Sequence, residues 1–251
     1  MAKVGTLAWN RETGGVLRAR DRAALTAQAV RGQLGLLVHR VGLRPQALAA
    51  LDLDAVRPPD TAAAREAEEL CREVSPGFLE AHCHRSYLWG RILGEHDGVR
   101  FDDELLYVAA LLHDLGLTER YADGTGRQRC FTLWGEAPTR ELCTKAGWSE
   151  QRTETVVEAI SLHLNVAVGL EHGPEAHLLQ TGTACDVAGI RALQIDAATR
   201  AGVLARHPRQ DMKRELMRIW KERADLPGTR SRFLSTVGQL EKRAMSAPFP
   251  E

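Results

Sequence analysis

The stretch Leu111-Leu112-His113-Asp114-Leu115-Gly116 places a histidine beside an aspartate at the end of an apolar run. The run begins after Phe101-Asp102-Asp103-Glu104, which is typical of a helix start because aspartate is a favoured N-cap and acidic side chains oppose the helix dipole. Between the two segments, apolar residues predict a broad buried face: Leu105, Leu106, Ala109, Ala110 and Leu112. The sequence therefore predicts a buried helix whose last turn carries the His-Asp pair, with Gly116 as its C-terminal capping residue.

The His113-Asp114 pair is suited to binding a divalent metal. Burying Asp114 without a partner is unfavourable, and a metal removes that cost. Neutral imidazole and carboxylate are ligands for Zn, Mn, Fe or Ni. In the competing interpretation Asp114 caps the next turn and His113 is a hydrogen-bonded core histidine. A second pair, His96-Asp97, lies between glycines without a long apolar run before it, and we expect it to be a solvated loop. The choice for His113-Asp114 therefore depends on the rest of the chain.

The composition predicts one sizeable core. Of the 251 residues, 44% are hydrophobic and 26% are charged, as in ordinary globular proteins. The 33 basic residues balance 33 acidic ones, so nucleic acid and membrane are disfavoured as partners and a small-molecule substrate is expected. No apolar run approaches the ~20 residues of a membrane span, and the first residues lack the apolar region of a signal peptide. A cytoplasmic location is the default expectation.

The five cysteines contain no Cys-x-x-Cys pair, and an odd number cannot all pair within one chain. We therefore expect reduced, mostly buried thiols. Cys83 lies between two histidines, but on a helix its side chain points about 100° away from either neighbour.

Helical periodicity recurs along the chain, and no segment shows sustained alternation with a period of two. The sequence predicts an all-α bundle, with helices over roughly 21–43, 61–70, 78–94, 102–115, 132–146, 149–168, 174–187, 196–204, 209–224 and 230–245. The proline pair in Val56-Arg57-Pro58-Pro59-Asp60 marks a boundary. We expect an N-terminal helical extension (residues 1–57), a core (58–195) and C-terminal helices that pack on the core (196–251).

Other metal-suited side chains lie on the predicted buried helices. His82 and His84 lie early in the 78–94 helix. His163 shares a stripe with the apolar residues three and seven positions before it, and Asp186 is near the end of the 174–187 helix, where Gly182 permits close backbone approach. Each residue alone has an ordinary structural explanation. Together with His113-Asp114 they occupy four helices, which is how helical bundles build metal sites.

These residues resemble the HD superfamily of metal-dependent hydrolases, whose His, His-Asp and distant Asp map onto His82, His113-Asp114 and Asp186. The chain is also similar to the cyanamide-hydratase-like branch, whose His-Ser-x-Arg-(Ser/Thr)-Tyr segment matches His82-Cys83-His84-Arg85-Ser86-Tyr87, and whose later segments resemble residues 159–163 and 182–189. The resemblance covers about residues 59–195. It implies a single HD-type bundle with one divalent transition metal, for which zinc is favoured over Fe, Mn or Ni. The ligands implied are His82 (not His84), His113, Asp114 and Asp186.

Two residues depart from the patterns of the superfamily. Cys83 occupies a position where the cyanamide-hydratase-like branch often has serine. Leu117 follows Gly116 where the cyclic-dinucleotide phosphodiesterase branch has a lysine, so a charged catalytic group of that branch is missing.

The expected activity is that of a hydrolase or hydratase. The metal would lower the pKa of a bound water from about 15.7 towards ~7, so that hydroxide adds to a nitrile-type carbon of a small molecule. His163 is expected to move the proton without binding the metal. Arg85 either orients the substrate, holds a carboxylate next to the metal site, or forms an ordinary ion pair.

Three alternatives stay open at this point. A phosphohydrolase acting on a nucleotide or phosphate ester would need basic residues near the metal, which only Arg120, Arg127 and Arg129 offer as a cluster. A dimetal hydrolase or di-iron oxygenase would use His163 with His172 or His177. A non-catalytic binding module is the third. The 21–43 helix would serve as a homodimer contact or as a lid.

Overall fold

Helices account for nearly all the regular structure in a computed structural model that describes residues 2–40, 48–122 and 130–251, without the side chains of 31–40. Within these ranges there is no strand, only the isolated bridges Val16–Thr229 and Ala49–Ile195, so the all-α prediction is confirmed. The α-helices are α1 Leu7–Thr13, α2 Ala19–Arg40, α3 Ala62–Val74, α4 Gly77–His96, α5 Asp103–Leu112, α6 Phe131–Trp134, α7 Glu136–Lys145, α8 Glu150–Leu162, α9 Pro174–Ala188, α10 Ala197–Arg206, α11 Met212–Ile219, α12 Arg230–Thr236 and α13 Leu240–Met245. In the described part of the chain, no helix combines the length and apolar character that crossing a bilayer requires.

Side-chain caps start several helices where the sequence predicts them. The hydroxyl of Thr61 accepts from the backbone of α3, Asp102 caps α5 and Ser149 caps α8. A cap of this kind stabilises a helix by about 1 kcal/mol, because it satisfies one of the unpaired N–H groups of the first turn. The helices that carry the candidate residues therefore begin where local signals place them.

Helix α5 lies at the centre of the bundle, against α3, α4, α8 and α9. All its residues from Leu105 to Leu112 are buried. A helix that is apolar on all sides is stable only when neighbours cover every face. The residues that follow it, His113 and Asp114, are consequently delivered to the interior.

Helices α4 and α9 approach each other closely. A Cβ atom on Gly182 would lie 2.0 Å from the carbonyl oxygen of Ser86, and one on Gly90 would lie 2.6 Å from that of Leu178. Both distances are too short for any side chain without a backbone shift. The close approach expected at Gly182 is confirmed, and it fixes His82 on α4 relative to Asp186 on α9.

Some predicted boundaries were wrong. Helix α8 ends at Leu162, where a helix to residue 168 was expected. The expected 132–146 and 230–245 helices are each broken, the second at Gln239, which has φ of 52°. Gly116 is not a left-handed cap: it lies in a 3₁₀ turn, and its role is steric, since a Cβ there would lie 2.0 Å from the carbonyl oxygen of Phe131.

Candidate metal centre

Three buried side chains converge where α4 passes the end of α5. The Nε2 atoms of His82 and His113 are 3.3 Å apart. Asp114 Oδ2 lies 3.3 Å from His113 Nε2 and 3.6 Å from His82 Nε2. One ligand atom from each residue lies within 4.8 Å of the others. Three of the four predicted ligands are thus brought together, and two of them are supplied by the His-Asp stretch.

Hydrogen bonds on the far sides of the rings assign the tautomers of these histidines. His113 Nδ1 donates to the carbonyl of Ala110 at 2.7 Å, and His82 Nδ1 donates to Asp186 Oδ2 at 2.7 Å. Because both acceptors require the proton on Nδ1, each Nε2 keeps its lone pair in the neutral ring. Two lone pairs and a carboxylate that face one another in a buried space repel unless a cation lies between them. This donor set fits a divalent transition metal.

The electrostatics of the group keep Asp114 ionised. Burial alone would raise the pKa of Asp114, but His113 and the other nearby histidines outweigh it and hold that pKa well below its usual range. Burial alone would lower the pKa of His113. The Asp114 carboxylate and the hydrogen bond to Ala110 together outweigh burial and raise this pKa above its usual value. Burial lowers the pKa of His82.

Asp186 lies on the opposite side of the His82 ring from this group. Its carboxylate accepts from Arg85 Nε at 2.8 Å, from Arg85 Nη2 at 3.0 Å and from Trp89 Nε1 at 2.8 Å, besides His82 Nδ1. Arg209 Nη1 adds an ion pair at 3.4 Å. Sequence reasoning assigned Asp186 as a fourth ligand. That assignment stays a prediction: in the structure the oxygens of Asp186 accept from the two guanidinium groups, the indole and the His82 ring.

Arg85 is fully buried and its guanidinium is saturated. Besides Asp186 it donates to the carbonyl oxygens of His207 and Pro208 at 2.9 and 3.0 Å. Of the roles considered for Arg85, holding a carboxylate next to the metal site and forming an ordinary ion pair both agree with these contacts, and orienting a substrate stays a prediction. Sequence reasoning missed Trp89 and Arg209. Trp89 follows His82 by seven positions, and this helical spacing was the available signal.

These observations can be compared with known families. Residues 79–199 match the family model of the HD domain. Over this segment, which is just under half of the chain, the protein is similar to the HD domain. The matched segment contains His82, His113-Asp114 and Asp186. Members of the HD superfamily are mostly metal-dependent hydrolases, in agreement with the donor set found here.

His163 stands at the edge of the group formed by His82, His113 and Asp114, which we call the HD group. It follows the last residue of α8, and its Nδ1 donates to the carbonyl of Ile160 at 2.6 Å. Its Nε2 therefore keeps a lone pair and lies 3.8 Å from Asp114 Oδ1. Burial, followed by the proximity of His113, lowers the pKa of His163 to about 3. His163 is neutral at physiological pH and lies beside the three converging ligands without being one of them.

The other candidate histidines lie elsewhere. His84 stacks on His207, with ring centroids 4.7 Å apart. His172 lies 3.8 Å from Glu171, and His177 Nδ1 donates to the carbonyl of Val168 at 2.6 Å. Neither His172 nor His177 joins the HD group, so the extra ligands of the dimetal alternative are not brought together.

The arginine cluster expected near the metal is described only in part. Arg120 forms a salt bridge with Glu73 at the surface. Arg127 and Arg129 lie outside the described residues.

A cavity of about 380 Å³ opens on the HD group. Its floor is formed by His82, His113, Asp114 and His163, and Ala29 of α2 reaches its edge. Much of its wall comes from residues beyond the HD match, namely Leu216, Trp220, Leu234, Val237, Gly238, Leu240 and Arg243. Sequence reasoning did not find this wall, because amphipathic helices that line a cavity have the same pattern as helices that only cover a core.

Proposed function

We propose that this protein is a metal-dependent hydrolase or hydratase that uses water against a small neutral molecule, as the cyanamide-hydratase-like branch does. One observation carries the proposal. The lone pairs of His82 and His113 and the carboxylate of Asp114 converge at the floor of a cavity large enough for a small-molecule substrate.

His82, His113 and Asp114 would hold the metal, with zinc favoured over Fe, Mn or Ni. Bound there, a metal of this kind acidifies a coordinated water and polarises the group that is attacked. Asp186 fixes the orientation of the His82 ring through Nδ1 and raises the basicity of Nε2. A carboxylate that supports a ligand histidine in this way is a common feature of metal sites.

His163 has the geometry of the proton carrier. Its Nε2 lone pair faces the cavity floor 3.8 Å from Asp114, while Nδ1 is held by a carbonyl. The low pKa keeps the ring neutral with its Nε2 lone pair free, but it also makes the ring a weak base, so the nearby Asp114 carboxylate has to stabilise the imidazolium that forms when Nε2 takes a proton from the attacking water. The ring then gives this proton to the nitrogen or oxygen atom of the substrate that becomes protonated.

A phosphohydrolase is the second candidate, and two arginines that line the cavity favour it. Arg191, however, is bound by both oxygens of Asp97 at 2.7 and 2.8 Å, and Arg243 Nε donates to the carbonyl of Gly238. Arg85 and Arg209 are both bound to Asp186. We therefore rank a neutral substrate above a phosphate ester.

A parallel assay of metal-loaded protein against nitriles, nucleotides and simple phosphate esters tests the proposal. We expect conversion of a nitrile-type substrate that is abolished in His113→Ala. Efficient phosphate release from nucleotides, also abolished in His113→Ala, would reverse the order of the two candidates.

A further inference from the structure

We infer that the substrate has an apolar body of several carbon atoms, which the C-terminal helices bind while its reactive group lies at His82, His113 and Asp114. This inference rests on the proposed function for the reactive group, but the apolar site it describes can be tested without turnover.

The lining of the cavity is mostly apolar. Helix α9 and the residues after it contribute Ala184, Val187, Ala188 and Ile190, and the segment before α9 contributes Leu164, Val166 and Ala167. The C-terminal helices contribute Leu216 of α11, Trp220 just after it, Leu234 of α12, Leu240 of α13 and Val237 between the last two helices. Aliphatic and aromatic carbon therefore forms most of the lining, beside the polar residues Thr181, Gln194, Arg191 and Arg243.

The polar side chains of the wall are engaged by the protein itself. Asn165 Nδ2 donates to the carbonyl of Val4 at 3.0 Å, and its Oδ1 accepts from Arg230 at 2.9 Å. Gln180 Nε2 donates to the carbonyl of Val166 at 3.1 Å, and Thr183 Oγ1 to that of Gln180 at 3.0 Å. These polar atoms are already bonded within the protein, so the lining offers a ligand mainly apolar contact.

The volume of the cavity favours a substrate that is larger than cyanamide. A volume of about 380 Å³ lies in the range of about 300–1,000 Å³ typical of small-molecule pockets. Cyanamide has three non-hydrogen atoms and would leave most of this space without contacts. Because apolar burial is favourable in proportion to area, a molecule with a hydrocarbon chain or ring gains affinity that cyanamide cannot.

Calorimetric titration with straight-chain primary amides, from acetamide to octanamide, tests the apolar site. These probes are neutral and resemble the product of nitrile hydration. We expect Kd to fall about three- to fourfold for each added methylene until the cavity is full. The same trend is expected in protein stripped of metal, because the wall contains no metal ligand. If no nitrile is converted but the affinity still rises with chain length, the proposed function is wrong and the apolar site is retained.

Two variants locate the site. Val237 is half-exposed and Leu240 is partly buried, so Val237→Glu and Leu240→Glu place a charge in the wall with little risk to the core. We expect each variant to raise the Kd for octanamide at least tenfold and to change the Kd for acetamide little. Met245→Glu is the matched control, because Met245 is an exposed residue of α13 that does not line the cavity. Affinity independent of chain length, or unchanged octanamide binding in Val237→Glu, would overturn the inference.

Discussion

At the scale of single residues, the site is defined by which nitrogen of each histidine is free. His82, His113 and His163 all donate Nδ1–H to an oxygen of the protein, at 2.7, 2.7 and 2.6 Å. All three Nε2 atoms are therefore available for a metal or a proton. Residue type and spacing predicted these histidines, but the sequence did not reveal the acceptors, because Asp186 lies 104 positions from His82.

Asp114→Ala is expected to abolish metal binding, since it removes the anionic member of a three-residue group. Elemental analysis of protein purified without chelator measures this. The chain provides a matched control in Asp97→Ala, which alters the other, exposed His-Asp pair and should leave the metal content unchanged. Unchanged metal in Asp114→Ala would refute the assignment.

Asp186→Asn is expected to weaken metal binding by roughly 10- to 100-fold, the usual effect of removing a carboxylate that supports a ligand histidine. A competition titration against a chromophoric chelator gives the affinity. Loss as complete as in Asp114→Ala would mean that Asp186 binds the metal directly, as the sequence predicts.

His163→Ala is expected to keep the metal and lose roughly 10²- to 10⁴-fold in turnover, the scale of a general acid or base. Metal content and kcat, measured on the same preparation, separate the two effects. If the variant loses its metal, His163 is a ligand and the single-metal interpretation with three ligands is wrong.

At the scale of elements, the prediction succeeded where one helix carries its own signals. Helix α5 has an acidic cap, a wholly apolar body and a helical period, and all three are local. The break between α12 and α13 includes Gln239, a non-glycine residue with φ of 52°, and residue-type preferences do not predict this conformation there. The position of Asp186 behind His82 likewise depends on how α4 and α9 pack.

Gly182→Ala tests that packing. A methyl group 2.0 Å from the Ser86 carbonyl must push α4 and α9 apart, and overpacking of this kind costs about 1–3 kcal/mol. We expect a matching loss in the free energy of urea unfolding. Gly202→Ala on α10 is the control: its Cβ would meet only the end of the flexible Leu53 side chain, and a helical alanine is favoured over glycine by about 1 kcal/mol. Equal effects in the two variants would show that α4 and α9 are not held by this contact.

At the scale of the whole molecule, distant segments contact the part of the chain that matches the HD family model. Leu7 of α1 donates its N–H to Glu158 on α8, and the buried Arg230 of α12 donates to the carbonyl of Ser161 at 2.9 Å. Arg209, 23 positions after Asp186, reaches that carboxylate from the C-terminal part of the chain. Composition predicted a single core, but such long-range partners have no local pattern that would identify them.

Stability should depend on pH through His207. Burial, followed by the neighbouring His84, lowers its pKa in the folded protein to about 4, whereas an unfolded histidine has a pKa of about 6.5. Between these values only the unfolded chain binds the proton, so the free energy of unfolding falls as pH decreases through this window. When the pH is lowered from 7.5 to 5.5, we expect the free energy of urea unfolding to fall by about 1 kcal/mol less in His207→Gln than in the wild type. An equal fall in the two proteins would contradict the assignment of this pH dependence to His207.

Part of the cavity wall comes from a later stretch of the chain than the candidate metal ligands, and this separation has an evolutionary consequence. All candidate ligands lie within residues 79–199, while Leu216, Trp220 and the residues of α12 and α13 follow it. Mutations in the second stretch can change which substrates bind without altering the candidate metal ligands, as exchangeable loops do in other enzyme scaffolds. A combinatorial library confined to positions 216, 220, 234, 237 and 240 would therefore sample new specificities from one gene at low risk to the catalytic machinery.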